Sequence, residues 1–259
     1  MANPLLDVNN ISIQFGGLKA VDSFSLKLNK GELGGLIGPN GAGKTTIFNL
    51  LTGVYSPTEG SISLDSISTK GLKPFEISRL GIARTFQNIR LFKELSVLDN
   101  IMLGQHHLTK YGLFQTIIQG DKFKVEESKR REEAIELLKI FSLDGKMATP
   151  SGSLPYGEQR KLEILRALAT KPKLLLLDEP AAGMNNSETA GLMDVVAMLR
   201  ERFHLTILLI EHDMKFVMNI CEHIHVVDHG VKIAEGTPSH IQNHPEVIKA
   251  YLGIDEELH

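Results

Sequence analysis

The stretch Gly38-Pro39-Asn40-Gly41-Ala42-Gly43-Lys44-Thr45-Thr46 decides the reading of this chain. It fits the spacing G-x-x-x-x-G-K-[ST], in which the glycines let successive backbone N–H groups turn inward around a polyphosphate. Upstream, the turn Asn29-Lys30-Gly31-Glu32 precedes an apolar run over 33–37; downstream, Ile47-Phe48-Asn49-Leu50-Leu51 lacks strand alternation and stops before Gly53. The predicted order is strand, loop, helix, the context a phosphate-binding loop requires. The helix adds a partial positive charge of roughly half a unit at its N-terminus, aimed at the same anion. Lys44 is placed to reach the β- and γ-phosphates, and the Thr45 hydroxyl is offered to Mg²⁺.

Working outward, Phe24, Leu26 and Leu28 alternate with polar positions and predict a strand. Beyond residue 154 the pattern becomes helix (Leu162, Leu165, Leu168), apolar strand (Leu174-Leu175-Leu176-Leu177), helix (Leu192, Val195, Val196, Leu199) and apolar strand (207–210). Continuous apolar strands alternating with amphipathic helices indicate an α/β domain with a covered parallel sheet. The middle of the chain, about 91–154, carries a helical stripe at Ala134, Leu137, Leu138 and Phe141 and reads as a helical subdomain. Its approach is irregular, with His106-His107, Gly112 and Gly120, and is expected to be an insertion over 105–126. Glu126 and Glu127 stand four residues before Arg130 and Arg131, an orientation suited to ion pairs on a solvated helix face. Val217, Ile220, Cys221 and Ile224 form a further apolar stripe, which makes Cys221 a structural thiol.

Composition narrows the class. The 259 residues are 42% hydrophobic and 23% charged, enough for a real core. With 28 Lys and Arg against 31 Asp and Glu, the net charge of −3 lacks the basic excess that binding to nucleic acid needs, so no nucleic-acid partner is expected. One cysteine forms no internal disulfide, and the opening residues show no basic segment followed by an apolar one, so a cytosolic chain is expected. Apolar runs fall far short of the ~20 residues that cross a bilayer. A membrane role must come through a partner.

A phosphate loop alone does not distinguish kinases, GTPases and binding modules. The second half supplies the chemistry: the strand at 174–177 delivers Asp178 and Glu179 at its C-terminal end, where open α/β sheets bind ligands. Asp178 suits Mg²⁺ coordination, and Glu179 is placed to polarise an attacking water.

Together with Leu154-Pro155-Tyr156-Gly157-Glu158-Gln159, Arg84-Thr85-Phe86-Gln87 and Glu211-His212-Asp213, these stretches resemble the ATPase subunits of ABC transporters over essentially the whole chain. The resemblance implies a P-loop ABC ATPase fold, with ATP and Mg²⁺ as cofactors. It divides the chain into a RecA-like core with an antiparallel β subdomain (about 1–90 and 155–240), the helical subdomain at 91–154, and a C-terminal tail at about 241–259. It further implies that Gln87 contacts Mg²⁺ or the attacking water, that His212 holds the γ-phosphate, and that Phe15 stacks on adenine. Residues Pro155, Tyr156, Gly157, Glu158 and Gln159 would form the signature that closes on the ATP of an opposite subunit. His106, His225 and His229 are assigned no role.

A finer resemblance is to the ATPases of branched-chain amino-acid importers. It rests on Phe15-Gly16-Gly17-Leu18-Lys19-Ala20-Val21, Phe86-Gln87-Asn88-Ile89-Arg90-Leu91-Phe92, Glu179-Pro180-Ala181-Ala182-Gly183-Met184-Asn185 and Ala250-Tyr251-Leu252-Gly253. Urea or amide importers and lipopolysaccharide-export ATPases share several of these stretches. The implied partners are a second ATPase subunit, two transmembrane permease subunits and, indirectly, a solute-binding protein, with the chain peripheral on the cytoplasmic face of the membrane. Two departures stand out. Pro155 and Tyr156 replace the usual Ser and first Gly of the signature, removing a hydroxyl and an N–H at Pro155; Asn185 replaces the usual aspartate of its loop. Both suit a heterodimer with unequal sites. The rival readings are a soluble ABC-type ATPase without a permease and a non-hydrolysing subunit, the latter opposed by Lys44, Gln87, Asp178, Glu179 and His212 all being present.

Overall fold

The structure, a computed structural model, describes residues 3–105 and 121–252. Most of the expected insertion, including His106, His107, Gly112 and Gly120, and the end of the tail from Gly253 lie outside the described residues. The chain forms two compact units, one of the described residues up to Arg84 and from Lys173 onward, the other Thr85–Pro172.

The first unit contains two sheets. Strands β1 (Leu6–Phe15), β2 (Leu18–Leu28), β4 (Glu59–Leu64) and β5 (Ile67–Ser68) form an antiparallel sheet in the order β2-β1-β4-β5. The other sheet has the order β10-β9-β3-β8-β7-β6, built from β3 (Leu33–Ile37), β6 (Ile82–Arg84), β7 (Leu174–Asp178), β8 (Thr206–Ile210), β9 (His223–Asp228) and β10 (Val231–Gly236). All its pairings are parallel except that of β10 with β9. Every residue of β3, β7 and β8 is buried, which is why these strands read as unbroken apolar runs. Leu36, Ile47, Phe48, Leu176, Leu208 and Val227 join the core of this unit with Phe24, Leu26 and Leu28 of the antiparallel sheet. Each contributes roughly 1.5–3 kcal/mol by leaving water.

Register places the functional edge. Leu36 pairs with Ile210, and Ile210 pairs with Asp178, so β3, β8 and β7 end at the same level. The loops that follow them emerge side by side at the carboxyl edge of the sheet, the place where ligands bind in such folds.

The second unit contains the helices Val97–Gly104, Asp121–Ile140 and Tyr156–Leu168. Ser96 caps the first by accepting from the Asp99 N–H at 3.0 Å. Buried Asn100 bonds the carbonyls of Phe92 and Ser96 and the hydroxyl of Ser151, fixing the loops around it. Ala134, Leu138 and Phe141 of the expected stripe are buried, while Leu137 at its edge is half-buried. Instead of the expected pairs four residues apart, Glu127 pairs with Arg130 three residues on at 3.3 Å, because Arg130 turns off the solvated face to donate to the Met102 carbonyl at 3.2 Å.

Two sequence expectations differ from this architecture. The boundary set at residue 155 cuts off the helix Tyr156–Leu168, which packs against Val97–Gly104 within the second unit. Its apolar stripe says that it is buried but not on what. The stripe from Val217 to Ile224 is not one helix: the helix Met214–Ile220 stops there, Cys221 is extended, and Ile224 belongs to β9. Cys221 is nevertheless buried, and burial pushes its thiol far up, as a structural role needs.

Candidate functional site

The loop over 38–43 leaves β3 and enters the helix Lys44–Leu51. Gly43 sits at φ +99°, and a Cβ there would lie 2.7 Å from the Ala20 carbonyl of β2. A Cβ on Gly38 would strike the Val227 carbonyl of β9. The loop is thus seated against β2 and β9, and only glycine fits where its backbone turns. Ala42 accepts from the N–H of Gly230 at 2.9 Å, so the turn between β9 and β10 also backs the loop. The Lys44 ammonium donates to the carbonyls of Gly38 and Pro39, both at 2.7 Å, which holds the lysine stem along the loop. Burial lowers its pKa, opposed by the carboxylates of Glu179 and Asp178. The side chain of Thr45 is exposed on the first turn of the helix, and Thr46 is half-buried behind it.

At the end of β7, Asp178 is buried and bonded through Oδ2 to Arg84 at 2.6 Å. Arg84 also donates to Asn49 Oδ1 at 2.7 Å on the helix that follows the phosphate loop, so one guanidinium joins β6, β7 and that helix. Glu179 adopts φ +47°, a left-handed conformation uncommon for a side chain of this size, with its N–H bonded to the Ile210 carbonyl at 2.9 Å. Such a conformation costs about 1–3 kcal/mol and is held by the surrounding structure. His212 follows β8 with its side chain 61% exposed, its Nδ1 3.7 Å from Glu179 Oε2. Glu211 is buried beneath them: Oε1 accepts from the Ala181 N–H at 2.8 Å and Oε2 from the His212 N–H at 3.2 Å. Burial raises its pKa and the three backbone bonds, to Ala181, His212 and Asp213, oppose the rise. It pins the turn after Glu179 to the end of β8.

Phe15 ends β1 with its ring exposed, in edge contact with Tyr55 at 5.0 Å between centroids. The structure therefore brings the phosphate loop, Asp178, Glu179 and His212 to one edge of the first unit. An oxygen donor set of a hydroxyl and a buried carboxylate suits the hard cation Mg²⁺, and the glycine-lined loop suits a polyphosphate.

Gln87 and the residues 155–159 belong to the second unit. There they are joined by a residue that sequence reading passed over. Arg160, fully buried, donates to the carbonyls of Phe86 at 2.6 Å and Gln87 at 2.7 Å. It also pairs with buried Glu163 at 2.9 Å, and Glu163 in turn accepts from the Arg90 N–H at 3.0 Å. Among the several charges of this helix, nothing in the sequence marks Arg160 and Glu163 as the buried pair. Pro155 is the N-cap of this helix and supplies no side-chain oxygen to it; Tyr156 is exposed, and Glu158 pairs with Lys146 at 2.6 Å. Gln159 donates to the Leu154 carbonyl at 2.7 Å, and Gly157 lies in the first turn of the helix. Asn185 caps the helix Asn186–Phe203, accepting from the N–H groups of Ser187 and Glu188 at 3.0 Å. An aspartate would cap equally well, so the cap does not explain the substitution.

The chain is similar to known proteins over nearly its whole length. Residues 21–182 match the family model described as ABC transporter, and residues 231–257 match one described as branched-chain amino acid ATP-binding cassette transporter. The chain is 47% identical to the high-affinity branched-chain amino acid transport ATP-binding protein LivG of Salmonella typhimurium, covering 98% of this chain and 99% of that one. It is 45% identical, with the same coverage, to the corresponding BraF protein of Pseudomonas aeruginosa. Among solved structures, the ADP conformation of MJ1267, an ATP-binding cassette of an ABC transporter, superposes with a TM-score of 0.84 at 31% identity, covering 97% of this chain and all of that one.

Proposed function

Because the chain belongs to the ABC transporter family of ATP-binding proteins, we propose that it hydrolyses ATP to power a membrane importer of branched-chain amino acids. The observation that carries the substrate class is the identity of 45–47%, end to end, with proteins named for that transport. The geometry supports the chemistry. Glu179 is held in a strained conformation beside His212, with Lys44 and Asp178 in electrostatic reach.

In this reading the backbone of 38–43 and Lys44 bind the phosphates of ATP, and Phe15 stacks on the base. Thr45 and Asp178 would hold Mg²⁺, with Gln87 proposed for the metal or the attacking water. Mg²⁺, when bound, neutralises charge on the β- and γ-phosphate oxygens. The Glu179 carboxylate takes the proton of the attacking water, and His212 steadies the γ-phosphate. Arg84 orients Asp178, and Glu211 sets the turn that carries Glu179.

As a member of a transporter family, the chain acts with membrane permease subunits; no described helix is long and apolar enough to cross a bilayer. We assign it a second ATPase subunit, two permeases and an associated solute-binding protein, on the cytoplasmic face. ATP held between two subunits favours their closed state, and loss of the γ-phosphate reopens it. Pro155 weakens the site completed by this chain's signature and so favours a heterodimer with unequal sites. Mild-detergent purification of the tagged chain from native membranes tests the assembly. A second ATPase with two permeases is expected, together with leucine, isoleucine or valine binding by the associated solute-binding protein. Urea, amide or lipopolysaccharide components would reassign the substrate, and recovery from the soluble fraction without a permease would overturn the transport role.

A further inference from the structure

On the strand β9, His223 and His225 are two residues apart and so face the same side of the sheet. Glu235 of β10 is the direct cross-strand partner of His225. Among the described residues these three form a cluster in which one donor atom from each lies within 4.8 Å of the others. His225 Nδ1 and Glu235 Oε2 are 3.2 Å apart, close to the ~3.4 Å that separates two ligands of one tetrahedral ion with bonds of about 2.1 Å. The side chain of His225 is 2% exposed, its Nε2 has no hydrogen-bond partner, and its Nδ1 approaches Glu235 Oε2 without a well-aligned hydrogen bond. Buried polar groups are ordinarily satisfied, so a buried imidazole with an orphaned nitrogen and a poorly aligned contact to a carboxylate suits a cation held between the two side chains. The cluster lines a cleft of about 380 Å³, which gives an ion and a water access.

The geometry points to a divalent transition-metal site of the zinc class at His223, His225 and Glu235, clamping β9 to β10. Two imidazoles are borderline ligands that select Zn²⁺, Co²⁺ or Ni²⁺ over Mg²⁺ or Ca²⁺, a carboxylate completes such a set, and three protein ligands leave a coordination position open. Lys232 donates a hydrogen bond to the Glu235 carboxylate. Lys232 is therefore the cation a metal must displace. The hairpin so clamped carries Gly230, whose N–H reaches Ala42 in the phosphate loop, and the site is separate from the residues proposed to bind ATP.

The test uses tag-free, metal-stripped, full-length protein without nucleotide, titrated with Co²⁺ while its visible d–d absorption is followed, then with Zn²⁺ in competition. One site with a tetrahedral-type spectrum, displaced by Zn²⁺, is expected. His223→Ala and His225→Gln should each weaken it by more than the ~10–100-fold that loss of a merely supporting group costs, and Lys232→Met should tighten it. Zn²⁺ should also raise the melting temperature of the parent protein but not of His223→Ala. If His225→Gln fails to fold, the half-buried His223 still decides the matter. Unchanged Co²⁺ affinity and spectrum in His223→Ala would overturn the assignment, as would a parent protein that binds no Co²⁺ at this site.

Discussion

Arg84 and Asp178 form a buried ion pair of 2.6 Å, 6% and 5% exposed, at the C-terminal ends of two adjacent parallel strands. The same guanidinium reaches Asn49, so Asp178 is oriented through a helix and a second strand. Removing one member of such a pair leaves a buried charge without its cation. Arg84→Met should lower stability by about 3–5 kcal/mol, read from the urea midpoint. Arg84→Lys should lose less, because it keeps the charge and forfeits only the fork to Asn49.

Glu179→Gln keeps the shape of the side chain and removes its basicity. ATP binding should persist while turnover falls ~10²–10⁴-fold, the size of a general-base loss. Unchanged hydrolysis in the purified transporter would take Glu179 out of that role.

Gly43→Ala forces a methyl against the Ala20 carbonyl at a backbone angle of +99°. The expected cost is about 1–3 kcal/mol of local strain, seen as weaker binding of a fluorescent ATP analogue with the fold retained by circular dichroism. Wild-type affinity would show that the loop tolerates a shift away from β2.

Arg160→Met strips the carbonyls of Phe86 and Gln87 of their shared donor and leaves Glu163 buried without its cation. A loss of about 3–5 kcal/mol is expected. In the double variant Arg160→Met, Glu163→Leu, a large part should return, because a buried pair costs far less to replace than to break. A double-mutant cycle measures the difference.

Glu211 gives a pH prediction of definite sign. Burial raises its pKa, so the folded state keeps the proton to higher pH than the unfolded chain does. Stability from this group therefore declines as pH rises above the ordinary glutamate range and through the raised folded value. Glu211→Gln should flatten that decline, measured as the difference between urea midpoints at pH 5 and pH 8. An unaltered slope would show that Glu211 is not the group responsible.

The sequence by itself determined the strand, loop and helix around Lys44, the apolar runs 174–177 and 207–210 that make up most of β7 and β8, and the placing of Asp178 and Glu179 at a strand end. These were legible because each depends on local rules: glycines at fixed spacing, apolar runs buried on both faces, and side-chain periodicity. Only tertiary structure decided which unit owns the helix Tyr156–Leu168, where the stripe at Cys221 breaks, and that His223 and His225 meet Glu235. It also decided the partners of Arg84, Arg160 and Glu211. In each case the contact spans distant positions or adjacent strands, and a lone charge or imidazole in a sequence carries no mark of what faces it. Periodicity states that a face is buried, whereas strand order and register determine what lies against it.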